Sequence, residues 1–300
     1  MKTILYILLC GLLLSGCGGR EKQTETETAG DTTSETISET EVQPQSTQAE
    51  SQGESITYLS LGDSIARGYG LKDIGNTRYS ALIREYFVED GIICMEQNYG
   101  VDGQTSTELI AYAETLPLTD ADVITVSIGA NNILGPAFDY LYAYHDYDSN
   151  PDTVYTDASI AEKYQTFLSL ADEGIVTLEN DIPKIIGAIR EQNTDCEIIF
   201  LTQYNPYAAV DFTMYINGFP IDFAALSASY VTRISNVISA GAETNGYSVA
   251  DVRGAFDGKE EKLVVAGAAD GTDMGKMDPH PNEKGHRVIA ETVYSMMKGE

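Results

Sequence analysis

The 300-residue chain has no tryptophan, three histidines, four cysteines and 18 basic side chains against 46 acidic ones. Each shortage excludes something. A net charge of −28 repels phosphate backbones and anionic headgroups, so nucleic-acid partners are excluded and any membrane contact must be covalent or hydrophobic. Four cysteines are too few for a disulfide framework in a chain of this size. With only His145, His280 and His286 present, any histidine-based chemistry has three candidates. What is plentiful is apolar: 43% of residues are hydrophobic, enough for one large folded domain, and no internal repeat is visible.

The first residues read as an export signal, with Lys2 ahead of the apolar run Ile4 to Leu14, which is too short to span a bilayer, and then small residues. The run ends Leu14-Ser15-Gly16-Cys17, which resembles the lipobox of bacterial lipoproteins. That resemblance implies a signal peptide at 1–16, a lipid on Cys17 and an exported protein anchored at the outer face of a bacterial membrane. The plainer reading is a secreted protein cleaved near Gly16. Residues 17–54 are rich in Thr, Ser, Glu and Gln with almost no large apolar side chain, the composition of a flexible acidic tether. Cys10 leaves with the signal, and Cys94 and Cys196 are expected to be buried thiols in preference to a bridge.

From Ser55 to the C-terminus, short apolar runs alternate with longer amphipathic ones, which predicts an α/β fold: three α/β/α layers around a mostly parallel sheet of roughly five strands. The strands are expected at 56–61, 92–97, 123–128, 197–202 and 247–251. Helices are expected at 78–89, 106–114, 174–192, 223–244 and 282–297, with Pro183 kinking or dividing the third. Residues 133–170 form a Tyr-rich insertion that reads as a functional cover or a local subdomain. The stretch 257–277 suits either a short strand or an extended loop.

Ligands of open α/β sheets sit at the carboxyl ends of the strands, and the informative residues fall there in order. After the first strand comes Gly62-Asp63-Ser64-Ile65, a turn that can expose a nucleophile at a helix N-terminus, although Ser is also a common helix cap. After the second comes Asn98 to Thr105, with Gly100 and Gly103 permitting close backbone approach. After the third comes Gly129-Ala130-Asn131-Asn132, with side-chain amide donors. Near the C-terminus comes Asp278-Pro279-His280-Pro281-Asn282.

Together these four blocks resemble the SGNH hydrolases, the GDSL esterase/lipase family, over about residues 55–300. The resemblance implies a serine hydrolase of carboxylic esters that needs no cofactor and no metal. It maps the nucleophile to Ser64, the base to His280, and the oxyanion donors to the N–H of Ser64, the N–H of Gly103 and the side chain of Asn131. The Tyr204-Asn205-Pro206 turn is a further shared feature. Three positions depart from the family pattern: Ile65 replaces the usual Leu, Asn132 the usual Asp, and Met277 the aspartate expected three residues before the histidine. Asp278, two residues before His280, is the candidate partner for the ring; otherwise a backbone carbonyl orients it and the machinery is a Ser-His dyad.

The expected partners are a small-molecule, glycan or lipid ester substrate, and a membrane through the N-terminal lipid. His286 reads as structural, His145 as a surface residue, and the Asp270, Asp273, Asp278 cluster as a solvated acidic loop in preference to a calcium site. Two rival classes remain: a lipid-anchored solute-binding protein with two lobes and a hinge, and a hydrolase relative without activity. Residues 1–53 carry 3 basic and 8 acidic side chains, so the remainder holds 15 and 38, a net of −23 that favours neutral over anionic esters.

Overall fold

Strands form where β-branched and apolar residues run together, as β1 (Ser55–Gly62), β2 (Ile93–Gly100), β3 (Val123–Ser127) and β4 (Glu197–Leu201). A hairpin of β5 (Thr213–Ile216) and β6 (Phe219–Asp222) intervenes before β7 (Ser248–Ala250). The computed structural model describes residues 54–299 apart from Ala268 and Asp270. The expected signal peptide, the lipid on Cys17 and nearly all of the tether lie outside the described residues, as does Asp270 of the acidic cluster.

The main sheet is entirely parallel, in the order β2-β1-β3-β4-β7. Its central strands are buried on both faces, all five residues of Val123–Ser127 included, whereas β2 at one edge alternates between exposed and half-buried positions. The helices are α1 (Ser64–Arg67), α2 (Ile74–Thr77), α3 (Tyr79–Glu89), α4 (Ser106–Ala113), α5 (Asn131–Ser149) and α6 (Asp157–Arg190). After them come α7 (Phe223–Ala240), α8 (Ala242–Asn245), α9 (Val252–Phe256), α10 (Glu260–Leu263) and α11 (Glu283–Lys298). One group packs α3 against α11; the other packs α4, α5 and α7 against α6. The three-layer α/β/α fold expected from the sequence is present, and the described residues form one compact unit in place of the two lobes that a hinged binding protein needs.

Three local expectations change. Pro183 does not divide its helix: α6 runs 34 residues and begins far upstream of 174, inside the supposed insertion. Thr156 and Ser159 form a capping box there, and Ile160, Tyr164, Phe167 and Ala171 continue one buried stripe into Ile175 and Leu178, so tertiary burial outweighs the lost hydrogen bond at the proline. The insertion is therefore α5 plus the first half of α6. Tyr140 packs on Tyr164 at 5.3 Å and on Phe167 at 5.7 Å between ring centroids, so these aromatics form packed core. Within 257–277, Val264 pairs with Pro281 in an antiparallel bridge, and the Val265 and Ala266 N–H groups donate to His280 O and Asp278 O at 2.9 and 2.8 Å. The hairpin of β5 and β6 was not anticipated.

Cys94 and Cys196 are free thiols; burial pushes the Cys94 thiol up to about 11.

Candidate active site

Strand order reverses between β1 and β3, and the crevice at that switch receives the loops after both strands. Gly62 ends β1 with φ +124°, and a Cβ there would lie 1.9 Å from the Ser127 carbonyl oxygen, so only glycine lets the chain turn between the two strands. The turn delivers Ser64 to the first position of α1. Asp63, not Ser64, caps that helix: its Oδ1 accepts the Ile65 N–H at 3.0 Å, which frees the Ser64 hydroxyl for other work.

The Ser64 Oγ lies 2.8 Å from His280 Nε2. On the other side of the ring, Nδ1 lies 2.5 Å from Asp278 Oδ1, and the same oxygen accepts the His280 backbone N–H at 3.0 Å. Asp278 therefore forms a short turn with its own chain and orients the ring at the same time. With Nδ1–H donating to a carboxylate, Nε2 carries the lone pair that faces the serine hydroxyl. Burial pushes the Asp278 carboxyl up, but the hydrogen bonds from the His280 side chain and backbone outweigh it and hold the group below the usual carboxylate range.

Met277, which stands where the family aspartate is expected, is buried in the core, and its carbonyl accepts the Tyr207 hydroxyl at 3.1 Å. The Tyr204 hydroxyl donates to Pro279 O at 2.8 Å. Two tyrosines on the segment after β4 thus hold both sides of the histidine loop, while the Tyr69 ring lies 4.5 Å from that of His280. In the sequence Tyr204 stands only within the shared Tyr204-Asn205-Pro206 turn, with nothing to mark this role. Tyr207 and Tyr69 carried no signal beyond their proximity to that turn and to Ser64.

Asn131 opens α5, and its Nδ2 donates one hydrogen to Gln104 O at 3.1 Å, leaving the second free. The side chain also lines the pocket beside Ser64. Gly103 sits in the preceding turn with φ +75°, closed by the Gln104 N–H on Val101 O at 3.2 Å. One carbonyl thus ties the Asn131 amide to the Gly103 loop. Asn132 fixes the same two blocks from behind. Its Oδ1 accepts the Ser106 N–H at 3.1 Å, and its Nδ2 donates to Ser106 Oγ at 2.7 Å and to Gly174 O at 3.3 Å. Ser106 Oγ in turn donates to the buried Asp181 at 2.9 Å. An aspartate at 132 would offer no donor to Ser106 Oγ or Gly174 O, which accounts for the departure at this position.

Asp63 has a second role that its place beside Ser64 in the chain does not signal. It is 1% exposed, Oδ2 has no hydrogen-bond partner among the described residues, and burial, offset in part by the Ile65 N–H and His280, raises its carboxyl to about 7. His286 is fully buried, with Nδ1 accepting the Tyr79 N–H at 3.3 Å, and burial first and the charge of His280 second push it down to about 3. It is a neutral core residue. His145 is half-buried near the end of α5.

A pocket opens beside Ser64 and His280, with a cavity volume of about 100 Å³. Beyond Asp63, Ser64, Asn131, Gln203 and His280 its walls are mostly apolar, supplied by α5, α7 and Phe167. Such a site can pass a serine proton to histidine, hold a developing oxyanion on amide donors and shelter an apolar group.

Solved structures share the fold. An extracellular lipase from Streptomyces rimosus superposes with a TM-score of 0.57 at 15% identity, over 80% of this chain and 99% of its own. Phospholipase A1 from Streptomyces albidoflavus NA297 gives 0.55 at 16%, over 80% and 98%. The uncharacterized protein YpmR of Bacillus subtilis (strain 168) is 23% identical over 311 residues, covering 100% of this chain and 94% of that protein. Residues 60–288 match the GDSL-like Lipase/Acylhydrolase family, and the span holds every block of the site from Asp63 to His280. The chain therefore belongs to the GDSL-like lipase/acylhydrolase family of ester-hydrolysing serine hydrolases.

Proposed function

We propose that the protein is a serine esterase/lipase that cleaves carboxylic esters through an acyl-enzyme, held at the outer face of a cell membrane by lipid on Cys17. The observation that carries the reading is the continuous chain from Ser64 Oγ through His280 to Asp278, at 2.8 and 2.5 Å, on a chain of an acylhydrolase family. Ser64 Oγ attacks the acyl carbon as its proton passes to His280 Nε2, and Asp278 stabilises the imidazolium that forms. The carbonyl electron pair moves onto oxygen, where the N–H groups of Ser64 and Gly103 and the free Asn131 hydrogen receive it. The pair then returns, the bond to the leaving oxygen breaks, and His280 hands that oxygen its proton. Water resolves the acyl-serine by the same steps in the second half.

Labelling with a fluorophosphonate tests the chemistry. Wild type is expected to label, and Ser64→Ala and His280→Ala are expected not to. An unlabelled, folded wild type overturns the enzyme reading, and labelling of Ser64→Ala shifts the nucleophile elsewhere.

The lipid anchor rests on Leu14-Ser15-Gly16-Cys17. Expressed with its full N-terminus in a bacterium, the protein is expected in the membrane fraction and its Cys17→Ser variant in the soluble exported fraction. Equal partition of the two removes the anchor from the proposal.

A further inference from the structure

We propose that the site takes one straight, neutral acyl chain of medium length, laid in a slot between α5 and α7 whose usable depth is set by Ala137 and Leu141; this rests on the serine esterase reading above. α5 lines the pocket with Asn131, Leu134, Ala137, Phe138 and Leu141, a stripe at helical spacing that begins beside Ser64. α7 lines it with Phe223, Leu226, Tyr230, Val231 and Ile234. The two helices run in opposite directions along the slot. Ile234 packs close to Gly129, just ahead of α5, whereas Phe223 packs on Phe212 at 5.9 Å and Phe212 on Tyr144 at 6.0 Å, near the far end of α5. Both stripes therefore lead away from Ser64 along one line.

Dimensions select the occupant. Ten residues of helix from Asn131 to Leu141 span about 15 Å, and the six to Ala137 about 9 Å. Counted as room for the centre of a water molecule, about 100 Å³ drawn out over that length corresponds to a bore about 6 Å across, one alkyl chain wide. With carbon–carbon bonds of about 1.5 Å in zigzag, an extended chain advances about 1.3 Å per carbon, so the slot holds about eleven carbons and reaches Ala137 after about seven.

Chemistry points the same way. The polar groups gather at the Ser64 end, where the Tyr204 and Tyr207 hydroxyls are taken by Pro279 O and Met277 O, and on the α7 wall Ser227 Oγ donates to Asn205 Oδ1 at 2.7 Å. Hydroxyl-rich or charged groups entering the slot would lose water without gaining partners, whereas methylenes gain from burial.

The test is kcat/KM for p-nitrophenyl esters from acetate to dodecanoate. Wild type is expected to gain about fourfold per added methylene up to about eleven carbons and then to level or fall. Ala137→Phe is expected to lower the decanoate-to-butyrate ratio about fiftyfold, three methylenes' worth at the same increment. Leu141→Ala is expected to raise the dodecanoate-to-octanoate ratio, and it decides the matter if the bulkier variant does not fold. A profile that is flat or falls with length while acetate is turned over overturns the proposal, as does an equal loss on butyrate and decanoate in Ala137→Phe.

Calorimetry on Ser64→Ala separates this from the catalytic reading. Monodecanoylglycerol is expected to bind and monoacetylglycerol not to, with binding of the former lost in Ser64→Ala/Ala137→Phe. Ester turnover without that preference defeats the slot alone; the preference without fluorophosphonate labelling of wild type defeats the catalytic reading alone.

Discussion

Asp278 and His280 are two residues apart in sequence and joined twice through one oxygen: Asp278 Oδ1 accepts the His280 backbone N–H at 3.0 Å and faces its Nδ1 at 2.5 Å. The spacing that looks one residue short for an orienting carboxylate works because the peptide folds back on itself between the two. Strand-like pairing of Val265 with His280 O and Ala266 with Asp278 O then fixes the turn.

Asp278→Asn should lower kcat about 10³–10⁴-fold, because an amide turned toward Nδ1 places the ring proton on Nε2, where it faces Ser64. Steady-state turnover and the rate of fluorophosphonate labelling both read this. A loss of less than tenfold would assign the ring's orientation to the backbone and make the machinery a dyad.

Asn131→Ala removes the pocket-facing amide and also the bond to Gln104 O. The expected result is a fall in kcat of about 10²–10³ with a much smaller change in KM, since the donor is used most fully when the oxyanion forms. A change confined to KM would recast Asn131 as a substrate-binding residue.

At position 132 the family's common aspartate should be harmful here. Asn132→Asp replaces two donated hydrogen bonds with a carboxylate facing Gly174 O and competing with Asp181 for Ser106 Oγ. Urea unfolding at neutral pH is expected to show about 1–3 kcal/mol of lost stability, the cost of unsatisfied buried groups. An unchanged midpoint would show that the three-way junction contributes nothing.

Asp63 gives the protein a pH dependence opposite to that of a salt-bridged carboxylate. Its folded value of about 7 lies above the ordinary 3.8, so the folded state keeps a proton that the unfolded chain releases. The contribution is fully present below about pH 4 and is lost as pH rises toward 7, by up to about 4 kcal/mol. The stability difference between wild type and Asp63→Asn should therefore shift against wild type between pH 4.5 and 7.5 and stay level above about 8. Parallel curves across that window would show that Asp63 is ionised when folded.

Much of the fold and the site was legible along the chain because the information is local. β4, buried on both faces, reads as an apolar run, and α11 shows helical spacing in Val288, Ile289, Thr292, Val293 and Met296, of which Ile289 and Val293 are buried. Ser64, Gly103, Asn131 and His280 stand at the ends of elements whose order can be counted. The first half of α6 was hidden because its tyrosines and phenylalanine read with the insertion, and only packing on α4, α5 and α7 shows that Ile160, Tyr164 and Phe167 continue one helix face. β5 and β6 are four residues each, too short for a periodicity to emerge.

By itself the sequence determined the shortages and the order: one sign of charge in excess, three histidines, a parallel α/β succession and four polar blocks at strand ends. Tertiary structure decided the partnerships. The pairing of Asp278 with His280 depends on a backbone turn, the burial of Asp63 on the Gly62 corner against Ser127, and the apolar slot on two helices about ninety residues apart lying antiparallel. Each is a relation between groups that become neighbours only when the chain has packed, and spacing in one dimension does not encode distance in three.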